Sequence, residues 1–341
     1  MISVLLVGFG FSAKTFHLPF LTHASSFSVK GVVSSQRDAV KAVLPETTVY
    51  SSLSDALTDS AFDLAIITTP NHLHASQAGL ALNNGCHVLV EKPFTLSSED
   101  AVQLIQTACQ QERKLSVYHN RRFDGDFLTI KQLIAEGELG DIKRVESRFD
   151  RFRPTPRNGW RENAGVGSGI FWDLGPHLID QALQLFGYPD AVSADILTLR
   201  EGGQSDDTFD VTLHYANNIV KLGSSAFQAG PTLRFDLQGT QGSYRKFYLD
   251  PQEAQLRDGL SLDDPLWART PDCEHGELHN TQGAKTIVTQ QGQYLRFFEQ
   301  LACAIIDNEP LPVDAASVLP VIKVMELAIA ASEQQQTLLC S

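Results

Sequence analysis

A chain of 341 residues is longer than one hydrophobic core usually organises, which predicts two domains. With 43 % apolar and 20 % charged residues it has the make-up of a globular protein and not of a disordered one. Forty acidic against 27 basic side chains leave a net charge of −13, which excludes the Lys- and Arg-rich surface that nucleic acids and anionic membranes require.

The first 120 residues alternate apolar runs with amphipathic stretches. A strand is expected at 2–7, apolar enough to be covered on both faces, and further strands at 29–33, 64–68, 87–90 and 115–118. Helical patterns lie between them at 12–23, 37–43, 53–58, 74–84 and 99–111, the last preceded by a Ser97/Asp100 capping pair. This alternation predicts a parallel, doubly wound α/β sheet. Beyond residue 120 the rhythm changes. A helix at 127–136 is followed by strand patterns at 143–152, 191–199, 208–215, 219–227 and 233–238, with a helix at 178–186 among them. Turns at Asn217-Asn218 and at 239–242 imply a mostly antiparallel sheet. Residues 250–292 are polar and unassigned, and two helices are expected to close the chain near 294–307 and 315–332. The expected domains are therefore 1–120 and 121–341.

The strongest local signal is Gly8-Phe9-Gly10-Phe11-Ser12-Ala13, directly after the first strand and before a helix. Gly8 permits a tight turn, Gly10 lets the backbone approach a pyrophosphate, and the small Ala13 lets helix and strand pack closely. The helix N-terminus then presents free N–H groups to the phosphates. At the end of the second strand, an acidic residue would bind the ribose 2′-hydroxyl of NAD and repel a 2′-phosphate. This chain has Ser34-Ser35-Gln36-Arg37 there and no acid before Asp38. Hydroxyls and a guanidinium favour NADP, with NAD as the alternative.

Two further motifs stand where chemistry is expected. Glu91-Lys92-Pro93 follows a parallel strand at its carboxyl end, and Asp173-Leu174-Gly175-Pro176-His177 places Asp173 and His177 at helical i, i+4 spacing. Taken singly, a lysine before proline is more often a surface residue and a helix-start aspartate more often a cap. In this order, with Thr69-Pro70-Asn71 and His74, they resemble the glucose-fructose oxidoreductase, inositol dehydrogenase and rhizopine catabolism family (Gfo/Idh/MocA) over essentially the whole chain. The stretches 119–123, 149–154, 159–162 and 167–169 are similar to the branch that holds the bacterial NADP-dependent scyllo-inositol 2-dehydrogenases.

The resemblance implies an N-terminal Rossmann domain and a C-terminal α/β domain for substrate binding and oligomerisation. In that second domain one sheet face would cover the nicotinamide and the other would form a homodimer or homotetramer interface. It implies that Lys92 is the active-site lysine, Asp173 the substrate-orienting aspartate and His177 the catalytic histidine. A near-neutral imidazole suits proton exchange with a hydroxyl, and an ammonium suits alkoxide charge. Either Lys92 or His177 can be the group that moves the proton. Thr69, Pro70, Asn71 and His74 would line the cofactor loop, and Glu91 and Asn120 would flank the nicotinamide ribose. Trp160 and Arg161 are candidates for the substrate wall, with a packed Trp and a surface Arg as the competing reading.

The expected activity is hydride transfer between NADP and a secondary alcohol or ketone of a cyclic polyol or sugar. A reductase of an aldose, keto-sugar or other carbonyl compound is the alternative, and a non-catalytic dinucleotide sensor the third. No metal is expected: no carboxylate or thiolate cluster accompanies His72 and His74, and His275 and His279, with Glu277 between them, lie in a stretch that gives no reliable helix. No apolar run is expected to approach the roughly 18 residues of a spanning helix. No basic segment precedes Lys14, and Cys86, Cys109, Cys273, Cys303 and Cys340 form no C-x-x-C pair, which predicts a cytoplasmic protein.

Overall fold

Six short strands, nearly all apolar, build the first sheet: β1 (Ile2–Val7), β2 (Phe27–Val33), β3 (Thr48–Tyr50), β4 (Leu64–Ile67), β5 (His87–Val90) and β6 (Leu115–Val117). In the computed structural model, which describes residues 1–157, 159 and 162–340, every pairing in this sheet is parallel. The order is β3-β2-β1-β4-β5-β6, the Rossmann order. β1 has β2 on one side and β4 on the other, so the chain reverses its winding there. Val7 pairs with Ile67, which sets the loops after β1 and β4 side by side at the edge where such sheets bind ligands.

The crossover helices are α1 (Leu18–His23), α2 (Arg37–Val43), α3 (Leu53–Asp59), α4 (His74–Asn83) and α5 (Ser98–Gln110). Their sequence signals act locally: Ser52 Oγ accepts the Asp55 N–H and Ser97 Oγ accepts the Asp100 N–H, each at 3.1 Å. The three-residue β3 escapes pattern reading because it is too short to show a period. This unit comprises Met1–Asn120 together with Glu253–Trp267 and Gln293–Leu319, so the division of the chain is not a single cut. The helix Tyr294–Ile306 adds Phe298, stacked on Phe20 at 5.0 Å, and Phe297, edge-on to Tyr118 at 4.9 Å.

The second unit comprises Arg121–Gln252, Ala268–Gly292 and Pro320–Ser341. Its sheet holds β7 (Ile142–Arg148), β8 (Ala191–Leu197), β9 (Thr208–His214), β10 (Ile219–Ser225), β11 (Leu233–Gly239), β12 (Gly242–Phe247), β13 (Gly276–Asn280), β14 (Gly283–Ile287) and β15 (Leu338–Leu339). The order is β14-β13-β12-β11-β7-β10-β9-β8-β15, with β7–β10 the parallel pair and the rest antiparallel. Alternation separates its faces. Phe209, Val211 and Leu213 are buried on one, while on the other Arg148 bonds Asp210 at 2.6 Å and Arg144 bonds Glu146 at 2.6 Å. The helices of this unit include α6 (Gly125–Ala135) and α7 (Gly169–Phe186).

Three expectations are corrected. The unassigned stretch 250–292 contains β13, β14 and the helix Gln252–Arg257; its strands are polar because β14 is exposed on nearly every residue. The helix expected from 178 starts at Gly169 and runs through Gly175 and Pro176. The segment Ala315–Gln334 is long and apolar enough, at mean hydropathy 1.6, to meet the length and composition of a spanning helix. Its Val321, Ile322, Val324, Met325, Ala328 and Ala331 are buried in the protein, as in a core helix.

Candidate functional site

The glycine loop leaves β1 on a backbone that only its own residues allow. Gly8 has φ +100°, and a Cβ there would stand 2.7 Å from Thr68 Oγ1. Thr68 in turn donates its hydroxyl to Val7 O at 2.9 Å, so the β1 and β4 loops are pinned together. Ala13 is fully buried against the sheet. Gly10 differs: a Cβ built on it meets nothing within 4 Å. Packing within the chain therefore gives no reason for a glycine here, and close approach of a ligand to the backbone does. Gly10→Ala is accordingly expected to leave the unfolding midpoint unchanged while weakening dinucleotide affinity about 10- to 100-fold, the cost of one crowded methyl. Calorimetric titration beside a denaturant melt reads both.

Beyond Phe11, which is exposed, the chain enters a π-helical turn, Ala13–His17, before α1. That turn matters for Glu91. Ser12 Oγ donates to Glu91 Oε1, and His17 Nε2 lies 2.8 Å from the same oxygen. Ser12 and His17 are five residues apart. In an α-helix they would be separated by about 1.4 turns and point apart, whereas an i→i+5 turn stacks them. Glu91 Oε2 accepts the Lys92 N–H at 3.1 Å. One buried carboxylate thus joins the glycine loop to the lysine backbone. Burial alone would raise the Glu91 pKa, but the hydrogen bond and charge of His17, with the Ser12 hydroxyl, hold it down at about 2.

Lys92 is half-buried at the carboxyl end of β5 and is joined to Pro93 by a cis peptide bond. His74 braces this turn, with Nδ1 2.7 Å from Pro93 O and Nε2 2.9 Å from Thr69 O. Burial depresses the His74 pKa, while the two carbonyls pull the other way. Its place is a strut between two loops, since both nitrogens are turned to the protein. Thr69 donates its hydroxyl to Gln77 Oε1 at 2.6 Å, Asn71 is buried in the turn before α4, and Asn120 is buried at the end of the unit's first segment.

At the end of β2, Ser34 Oγ accepts the Gln36 N–H at 3.0 Å and Ser35 is exposed. Arg37 opens α2, exposed, and one of its nitrogens donates to Val49 O at 3.0 Å. The structure brings the glycine loop, Thr69–Asn71 and the Glu91-Lys92-Pro93 turn to the same carboxyl edge of one sheet.

In the second unit, α7 carries Asp173 and His177 on one helical face. Asp173 accepts from Arg151 Nη1 at 3.4 Å, and His177 is buried. The helix starts against Asp206, whose carboxylate accepts the Phe171 N–H at 2.6 Å. A Cβ on Gly169 would collide with that carboxylate, and Gly169 has φ +91°, so glycine is required. Burial, partly offset by that hydrogen bond, pushes Asp206 up to about 6. Further along the face, Asp180 holds Arg122 in a bidentate pair at 2.8 and 2.6 Å. Gln181 accepts from the fully buried Arg234 at 2.5 Å and donates to Arg121 O at 2.7 Å. Trp160 and Arg161 lie outside the described residues. Sequence reasoning missed His17, Arg151, Arg153 and Asp206 as site groups. The spacing of His17 from Ser12 carried a signal, but one that only a π turn makes legible.

A Rossmann sheet with an open glycine turn, followed by a helix bearing an Asp/His face, defines a nicotinamide-dinucleotide oxidoreductase. Residues 2–119 match the NAD-binding Rossmann fold, and residues 131–339 the C-terminal alpha/beta domain, of one oxidoreductase family. The chain belongs to that family, Gfo/Idh/MocA. It is 40 % identical to the uncharacterised oxidoreductase YdgJ of Escherichia coli, covering 99 % of this chain and 98 % of that one. It is 36 % identical to scyllo-inositol 2-dehydrogenase (NADP(+)) IolW of Bacillus subtilis, covering 99 % and 96 %. The solved structure of yvaA from Bacillus subtilis superposes with TM-score 0.96 at 34 % identity, covering 100 % and 98 %. The protein is thus an oxidoreductase that uses a nicotinamide cofactor and acts on a small molecule.

Proposed function

We propose that the protein transfers a hydride between NADP and a secondary alcohol or ketone of a cyclic polyol or sugar. The observation that carries the reading is the open face of Gly10 in a loop tied, through Glu91, to the backbone of Lys92. The full-length relative IolW, a scyllo-inositol 2-dehydrogenase (NADP(+)), supports the substrate class. Residues 8–13 would hold the pyrophosphate, Thr69, Pro70 and Asn71 the adjoining loop, and Glu91 and Asn120 the ribose side, with His74 bracing the turn. When bound, the nicotinamide supplies the hydride donor or acceptor.

The remaining work falls to the chain. Lys92 stabilises negative charge on the reacting oxygen, an effect that grows as water is excluded. His177 takes the hydroxyl proton in oxidation and returns it in reduction, a role typically worth about 10² to 10⁴ in rate. Asp173 accepts from a substrate hydroxyl and favours the imidazolium. The second unit supplies substrate binding and a homodimer or homotetramer interface, in a cytoplasmic setting.

The NADP assignment stands on Ser34, Ser35 and Arg37 at the end of β2 and on the absence of an acid there. Arg37→Ala is expected to raise the dissociation constant for NADP at least about tenfold, the loss of one charge-assisted contact, while changing that for NAD about twofold or less. Equal effects on both cofactors would refute the 2′-phosphate role. The activity itself is tested by following NADP reduction against inositol isomers, aldoses and sugar acids; no turnover across that panel would overturn the reading.

A further inference from the structure

After β7 the chain continues extended beside β10: Arg151 N–H donates to Ser225 O and Arg153 N–H to Ala226 O, both within 2.9 Å. Arg151 and Arg153 therefore share a face, with Phe152 turned the other way and 60 % exposed. They line a cavity of about 90 Å³ whose wall also includes Asp173.

Three arginines and four carboxylates line this cavity, and most of them are already engaged. Arg200 is held by Asp207 at 3.2 Å and Glu162 at 3.2 Å. Arg151 reaches Asp173 at 3.4 Å, and Asp206 spends an oxygen on the start of α7. Arg153 is left over. Among the described residues its guanidinium makes no ion pair, although it is part-buried and stands in the field of Arg151 and Arg157. Burial and those two cations lower its pKa, and the more distant charges of Asp173 and Glu162 offset them only in part. An arriving anion would add to that offset and can be gripped through two parallel N–H bonds.

We propose that Arg153 is the anion subsite of the substrate pocket, and that the substrate is a polyol or sugar bearing a carboxylate. The proposal rests on the reading of Asp173 as a substrate-contacting residue. A carboxylate fits better than a phosphate. The cavity is small, which favours the planar carboxylate over the bulkier tetrahedral phosphate. Such a substrate also explains why the Arg-x-Arg pair stands beside the very aspartate assigned to orienting a hydroxyl.

The test uses matched pairs that differ only in the acid group, D-glucose with D-glucuronate and D-galactose with D-galacturonate. Turnover and thermal shift are measured on the wild type, R153Q and R153K. In the wild type, kcat/KM is expected to favour the acid at least tenfold in one pair, and that acid raises the melting temperature where its neutral partner does not. In R153Q both the ratio and the acid-specific shift collapse, and R153K keeps part of each. An acid no better than its neutral partner, or a ratio indifferent to R153Q, overturns the subsite while leaving the dehydrogenase reading in place. If no sugar is turned over, binding decides: an acid-specific shift lost in R153Q upholds the subsite and sinks the proposed reaction. A shift independent of Arg153 overturns the subsite.

Discussion

Replacing Lys92 by alanine is expected to lower kcat about 10²- to 10³-fold, the effect of removing one preorganised charge from a developing oxyanion. The dissociation constant for NADP is expected to stay within about threefold, because the groups that would hold the pyrophosphate are the backbone of residues 8–13. Initial rates of NADPH formation and fluorescence titration of the cofactor measure the two quantities separately; unchanged turnover would remove Lys92 from the chemistry. Lys92→Arg sharpens the result. A guanidinium keeps the positive charge but does not give up its proton near neutral pH. If Lys92 only stabilises charge, the arginine variant recovers part of the lost rate with an unaltered pH profile. If Lys92 moves the proton itself, arginine is as inactive as alanine, and His177→Asn then costs less than about tenfold. The two side chains are separable because Lys92 is carried by a strand end and His177 by the interior of α7.

The architecture was largely legible because both sheets announce themselves through elementary periodicity. β1 and β4 are apolar at nearly every position, as strands covered on both faces must be, and β9 alternates strictly, as a strand with one polar face must. The glycine loop was legible because φ > 0 at Gly8 has few solutions in sequence. What stayed hidden is whatever depends on long-range pairing of charge. Arg234 sits on a strand and reads as a solvent-facing residue, yet it is fully buried against Asp126 at 3.3 Å and Gln181. Asp206 sits in a polar loop, and nothing local shows that it will meet the first turn of α7. The segment 250–292 failed for a related reason. β13 and β14 form a hairpin at the sheet edge, and an exposed edge strand carries no apolar alternation to read.

The Glu91 clamp joins what was legible to what was not, and its removal is expected to have the larger effect on stability. Glu91→Ala leaves the Ser12 hydroxyl and the fully buried His17 ring without their shared acceptor, in a pocket closed by Tyr118 at 4.5 Å and Phe298 at 6.0 Å. Breaking a buried pair by deleting one partner costs about 3–5 kcal/mol, read as a fall in the denaturant midpoint. The π turn is expected to relax toward α-helical register, since the i→i+5 arrangement no longer has two donors to satisfy at one oxygen. Cofactor affinity then falls as well, although no atom of Glu91 need touch the phosphates. Acid supplies an independent check of sign. The folded-state pKa of about 2 lies below the ordinary value of 4.5, so this contribution is fully present above about pH 5. It is lost as the pH falls from there toward 2, and a depression of that size is worth about 3 kcal/mol. Glu91→Gln keeps an acceptor oxygen and cannot titrate, so it is expected to lose stability at neutral pH yet show a flatter acid limb than the wild type. Parallel acid limbs in the two proteins would mean that Glu91 does not carry its charge into the fold, and that the clamp is a neutral hydrogen-bond network.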